Sequence, residues 1–191
     1  VYGEAMGILA GDALLNLAFE TAAEAFAIEV SSRTARAMQI LARKAGIYGM
    51  IGGQVVDVES EGQPLSREKL NFIYRLKTSA LIEASMMIGA VLAGASDEEL
   101  AAVERVAGDV GLAFQIQDDI LDVTSTLEVL GKPIHSDDKN NKTTYVTLEG
   151  LDKARADVEA VSERALETLR SLNYRNEFLE ELIRMLITRE K

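Results

Sequence analysis

A chain of 191 residues, 48% hydrophobic and 27% charged, is long enough to bury a core as one domain and too apolar to stay disordered. Its net charge of −11 argues against nucleic acid or an acidic bilayer surface as a main partner. The absence of cysteine excludes disulfides, thiolate catalysis and cysteine-bound metals, and the single histidine, His135, makes a histidine metal site or a catalytic triad a poor expectation.

Two prolines, few aromatics and abundant alanine and leucine predict an all-α chain. Tyr2 to Phe26 reads as one helix, with Ile8, Leu15 and Phe19 on a buried side. It begins without a cap or initiator methionine, so Val1 reads as an internal residue of a longer protein. Ala27 to Arg33 fits neither neighbour and reads as a loop, or as a place where residues are missing. Arg33 to Gly53 is the second expected helix, apolar along Ala37, Ile40, Leu41, Ala45 and Tyr48. Its glycines Gly46, Gly49 and Gly53 would let another helix approach closely, and Gln54 and Asp57 then share a face. After a turn at Glu61–Pro64, Ser66 starts a long helix to Ala95 with Lys77, Leu81, Ala84, Ile88 and Val91 on one stripe. Lys77 stands at the polar end of that stripe; a lysine so placed is otherwise a surface residue. The longest apolar run, Ala84 to Ala95, is too short to span a bilayer. No signal pattern opens the chain, and a reducing, cytoplasmic home is the expectation.

Ser96 caps a helix with an acidic first turn that runs from Asp97 to about Val123. Near its end, Gly111, Gln115, Asp118 and Asp122 fall along one stripe. Carboxylates stacked a turn apart repel each other unless water or a cation lies between them. Oxygen-only ligands suit magnesium, which takes one or two protein carboxylates and fills its shell with water and phosphate oxygens. The stripe thus reads as Asp118 and Asp122 presented to a magnesium–phosphate group, or as a solvated acidic face. Phe114 and the glycines Gly108 and Gly111 beside it favour a cavity wall. Thr124 to Lys142 is a polar loop that could close over the aspartates, bringing Lys132 and Lys142 to a bound phosphate. Tyr145 to Leu148 begins another helix. Leu151 to Leu172 is amphipathic, with Val158, Val161, Ala165, Leu166 and Leu169 inside, and Phe178 to Thr188 is the final helix.

Several stretches together resemble the trans-isoprenyl diphosphate synthases, the farnesyl and geranylgeranyl diphosphate synthase family. They are Gly3-Glu4-Ala5 with Leu9-Ala10-Gly11-Asp12-Ala13-Leu14-Leu15, Gly53-Gln54-Val55-Val56-Asp57, Lys77-Thr78, and Phe114-Gln115-Ile116-Gln117-Asp118-Asp119-Ile120-Leu121-Asp122. Gly131-Lys132, Asp137 and Lys142-Thr143-Thr144-Tyr145 complete the series in the family's order. The resemblance implies a helical bundle of isoprenoid-synthase type around a central cavity, with residues 1–191 one all-helical domain. It implies a prenyltransferase that joins isopentenyl diphosphate to an allylic diphosphate, most simply making farnesyl diphosphate, with geranylgeranyl diphosphate second. A terpene cyclase on the same fold, or a non-catalytic partner subunit, is the contrasting expectation. In that family three magnesium ions, with manganese as an alternative, hold the diphosphate between two aspartate-rich motifs, and the enzyme is commonly a homodimer. Carried over by position, Asp118 is the direct metal ligand, with Asp119 and Asp122 acting through metal-bound water or by orienting neighbours. Lys77, Lys132 and Lys142 contact the allylic diphosphate. Thr78, Gln54 and Gln115 place oxygen dipoles near cationic carbons, Asp57 orients Gln54 or a lysine, and Phe114 packs beside the isopentenyl unit.

Two departures follow. The family's first aspartate-rich motif would precede Gly3, so the chain corresponds to roughly the C-terminal two thirds of a synthase, and by itself is expected to be inactive. His135 stands where the family usually has glycine, either strained or tolerated on an open lid.

Overall fold

The computed structural model describes residues 2–125 and 142–189, and every regular element among them is helical. Helix α1 spans Glu4–Ala23, α2 Ala25–Ile28, α3 Ser32–Ala45, α4 Met50–Glu59, α5 Arg67–Tyr74 and α6 Ala80–Ala93; a π-helical turn, Arg75–Ser79, joins the last two. Then come α7 (Asp97–Thr124), α8 (Tyr145–Glu149), α9 (Leu151–Arg170) and α10 (Glu177–Thr188). Helices α3, α5, α7, α8 and α10 start where a short polar side chain accepts an otherwise unpaired amide. Ser96 accepts from Glu99 N while the Glu99 carboxylate takes the Ser96 amide, and Ser31 with Thr34 and Thr144 with Thr147 form equivalent reciprocal pairs. Ser66 accepts from Lys69 N as the sequence predicts.

The 28-residue α7 is the axis, with Val106, Ala107, Ala113 and Ile116 closed off from solvent. Helix α9 lies along it and buries Val158, Val161, Ala165, Leu166 and Leu169, the predicted inner face. One apolar cluster joins Leu70, Ile73 and Tyr74 to Ile116, Ile120, Tyr145 and Val158; a second joins Val106 and Val110 to Leu166, Leu169 and Ile183. Helix α6 fills the space between α3 and α7. There Glu83, 3% exposed, is ion-paired to Lys44 of α3, which also bonds Glu104 of α7 at 2.7 Å. Burial pushes the Lys44 ammonium down, but its bonds to Glu104 and Glu83 outweigh this and raise it above the usual lysine value. A charged group on each of three helices thus locks their register.

Three expectations change. The predicted helix from Arg33 to Gly53 is two, α3 and α4, because the helix breaks in a turn at 46–49; a Cβ on Gly49 would lie 1.9 Å from the Lys44 carbonyl oxygen. Tyr48 therefore sits outside, its ring under Arg43, and of the three glycines Gly53 is the one that meets another helix. Helix α1 buries none of its residues: Ile8 is 67% exposed, and Leu15 and Phe19 are only half-covered. The helical run Arg67–Ala93 is, by length and composition, apolar enough to cross a membrane, which the apolar count from Ala84 misses because Lys77 and Glu83 divide the run. Here it packs against α3, α4 and α7.

Candidate active site

The π-turn between α5 and α6 sets the site. It carries one more residue per turn than an α-helix, so side chains beyond it rotate relative to those before it. Ser79 at its end is fully buried and donates to the Tyr74 carbonyl five residues back, at 3.3 Å. Two glycines press on the turn from opposite sides. A Cβ on Gly53 of α4 would lie 2.4 Å from Lys77 N, and one on Gly111 of α7 2.3 Å from Ser79 Oγ. Between them the turn sets Thr78 against α7 and Lys77 against α4: Thr78 Oγ1 donates to Gln115 Oε1 of α7 at 2.9 Å, and Lys77 Nζ bonds Asp57 Oδ2 of α4 at 2.5 Å.

Lys142, just before α8, reaches the same Asp57 oxygen at 3.3 Å. Burial pushes the Asp57 carboxyl up, but the hydrogen bond from Lys77 and the charges of Lys142 and Lys77 prevail and hold it below the usual carboxylate range. A cleft of about 60 Å³ is lined here by Asp57, Lys77, Gln115, Asp119, Lys142 and Thr144.

The three aspartates of α7 differ. Asp118, one turn beyond Gln115, is a third exposed, and Arg189 Nη2 lies 3.1 Å from its Oδ1. The same guanidinium stacks on Phe114, 3.8 Å from the ring centroid, while Gln117 donates to the Arg189 carbonyl at 3.2 Å. Asp119 points inward and is 4% exposed; its Oδ2 accepts from the Tyr74 hydroxyl at 2.5 Å and from the Tyr145 amide at 2.8 Å. Asp122 is buried.

The structure therefore brings together Lys77, Thr78, Asp57, Gln115 and Lys142, while Phe114 and Asp118, which flank Gln115 on α7, meet Arg189. Gln54 does not join them: it is exposed, one turn before Asp57. Lys132 and His135, with the rest of 126–141, lie outside the described residues. Tyr74, Tyr145 and Arg189 are the additions. Tyr74 stands three residues before Lys77, where the helical period already placed it near that face; nothing in the sequence marks Arg189.

Among the described residues no three His, Cys, Asp or Glu side chains converge as a self-sufficient metal site. Magnesium does not need one, since water and phosphate oxygens complete its shell. Asp118 fits such an ion: it is an accessible oxygen donor one turn beyond Gln115, and a guanidinium already balances its charge. Asp119 fits less well, because one of its oxygens is engaged in the core.

The polyprenyl synthetase family model matches residues 1–182. The chain belongs to the polyprenyl synthetase family. Among polyprenyl synthetases it is 44% identical over 174 residues to the heterodimeric geranylgeranyl pyrophosphate synthase large subunit 1 of Arabidopsis thaliana, covering 88% of this chain and 47% of that protein. It is 41% identical over 172 residues to the farnesyl diphosphate synthase of Geobacillus stearothermophilus, covering 90% of this chain and 58% of that one. The geranyltransferase of Helicobacter pylori, whose crystal structure holds magnesium and isoprenyl diphosphate, matches with a TM-score of 0.82 at 35% identity over 97% of this chain and 60% of its own. This polyprenyl synthetase chain spans about half the length of the curated relatives it matches. Its all-α architecture is the isoprenoid synthase fold of those structures.

Proposed function

We propose that the protein carrying this chain is a magnesium-dependent short-chain trans-prenyltransferase, joining isopentenyl diphosphate to dimethylallyl or geranyl diphosphate and releasing pyrophosphate. The observation that carries the reading is the meeting of Lys77 and Lys142, far apart in sequence, on one carboxylate beside the Thr78–Gln115 pair, with Asp118 one turn beyond Gln115. Two ammonium groups side by side suit a polyanion, and donors and acceptors just below them suit the carbon to which it is attached.

In this reading Lys77 and Lys142 hold the allylic diphosphate and, as the C1–O bond breaks, stabilise the charge that leaves with pyrophosphate. Asp118 would hold magnesium, which when bound would supply further neutralisation of that charge. The Thr78 and Gln115 oxygens face the allylic carbocation. The double bond of isopentenyl diphosphate attacks that cation to form the new carbon–carbon bond, and a proton is then lost to the departed pyrophosphate. Asp57 keeps the lysines in place between turnovers. Phe114 and the apolar side chains around it keep water from the cation.

Farnesyl diphosphate is the product we assign. The naming of relatives as geranylgeranyl diphosphate synthases favours geranylgeranyl diphosphate as the second reading. A homodimer is the assembly we assign, and the uncovered apolar α1 supports it. The test is an assay of the full-length protein with allylic diphosphates, isopentenyl diphosphate and magnesium, with product length read by chromatography. A fifteen-carbon product is expected, and a twenty-carbon product selects the second reading. Product formed without isopentenyl diphosphate would make the protein a cyclase and overturn the assignment.

A further inference from the structure

Lys77 and Lys142 approach the same oxygen of Asp57 although their ammonium groups repel each other. Asp57 draws both of them in, and the backbone that carries each lysine sets how closely they stand. Lys77 is held by the π-turn. Lys142 precedes the short helix α8, and the beginning of α8 is fixed at two places. Thr143 Oγ1 accepts from Leu65 N at 3.3 Å, and the Tyr145 amide donates to Asp119 Oδ2 at 2.8 Å. That Asp119 oxygen also takes the Tyr74 hydroxyl at 2.5 Å, and Tyr74, Asp119 and Tyr145 are all buried. Tyr74 is the residue immediately before the π-turn. One carboxylate oxygen therefore joins the three segments that carry Lys77, Asp118 and Lys142.

We propose that Tyr74 is a positioning residue whose hydroxyl, through Asp119, holds the start of α8 so that Lys142 stands beside Lys77 as a preformed diphosphate cradle. The proposal rests on the prenyltransferase reading and deepens it. It gives Asp119 a role apart from its neighbour Asp118: Asp118 is part-exposed and paired with Arg189, whereas Asp119 is buried in the cleft wall and ties α5 to α8. Without the tyrosine hydroxyl, the Asp119 oxygen loses a donor in a buried setting, and the start of α8 is held less firmly.

The test uses the full-length protein and Tyr74→Phe, which keeps the buried ring and removes only the hydroxyl. Binding of inorganic pyrophosphate is measured by calorimetry with magnesium in excess, alongside steady-state kinetics. Tyr74→Phe is expected to weaken pyrophosphate binding about five-fold or more. The KM for the allylic diphosphate should rise by a similar factor, with kcat changed far less. In the Lys142→Ala background the same substitution should have no further effect on pyrophosphate binding. Additive losses in the double variant, or unchanged binding in Tyr74→Phe, would overturn the proposal. Hydrogen exchange at the Tyr145 amide of the wild-type protein gives a check that needs no variant. Protection before ligand is added is expected, and protection only after pyrophosphate is added would show that the cradle is not preformed. A wild-type protein that binds no pyrophosphate overturns the prenyltransferase reading itself, whereas tight wild-type binding with an indifferent Tyr74→Phe overturns the positioning role alone.

Discussion

Lys142 and Tyr145 are three residues apart and answer to different tests. Lys142 shares Asp57 with Lys77, so removing its ammonium leaves that carboxylate paired. Lys142→Ala should therefore raise the KM for the allylic diphosphate about ten-fold or more, as expected for lost hydrogen bonds between charged groups, with the melting temperature nearly unchanged. An equal collapse of fold and activity would make Lys142 structural. Tyr145 is a pH-sensitive stability element. Its hydroxyl donates to Asp157 at 2.8 Å and accepts from Arg67 at 2.9 Å. Burial first, then the adjacent Asp157 carboxylate, push the phenol up from 10.0 to about 12. An unfolded tyrosine loses its proton near 10, whereas the folded one keeps it. The contribution of this group is then complete below pH 10 and is lost as pH rises through 12. Denaturation midpoints followed from pH 8 to 12 should fall at the alkaline end. Tyr145→Phe, which leaves the backbone bond to Asp119 intact, should fall less steeply there.

Among the elements, the π-turn is the most exacting. Gly111→Ala would put a methyl group 2.6 Å from the Ser79 Cα, a backbone contact that cannot swing away. A stability loss of about 1–3 kcal/mol is expected from such overpacking. Because the turn carries Lys77 and Thr78, kcat should fall as well, while Gly89→Ala, with open space at its Cβ, should leave both unchanged. Denaturant titration with steady-state kinetics on the three proteins measures it. Much of this level is legible in the sequence. Ser66 and Ser96 announce α5 and α7 by their capping chemistry, and the apolar period of α9 names its buried face. The π-turn is not legible, since one inserted residue changes which side chains share a face while leaving composition and propensity untouched. For the same reason a run such as Asp118-Asp119-x-x-Asp122 marks an acidic end without saying which carboxylate is buried and which stays accessible. That is decided by Tyr74 and Tyr145, contributed by other helices. The turn at 46–49 was hidden by glycine spacing that suits helix packing and a helix break alike.

The whole molecule is most informative where this chain leaves something unfinished. Helix α1 is apolar on several sides at once, and Met6, Leu9, Leu14 and Leu17 are each more than half exposed. A helix that is hydrophobic all round is stable in water only when other helices cover it. Leu15 and Phe19 turn toward partial cover, whereas Met6, Leu9 and Leu17 follow the three- and four-residue spacing of a helix–helix seam. Under the homodimer reading that seam meets its own counterpart across a two-fold axis, where each leucine is used twice and each charge introduced is doubled. Leu9→Glu with Leu17→Glu in the full-length protein should then convert the dimer to a monomer with little loss of helix content, read by light scattering and circular dichroism. A protein that stays dimeric but melts earlier would place this seam against helices of its own chain and remove α1 from the subunit contact.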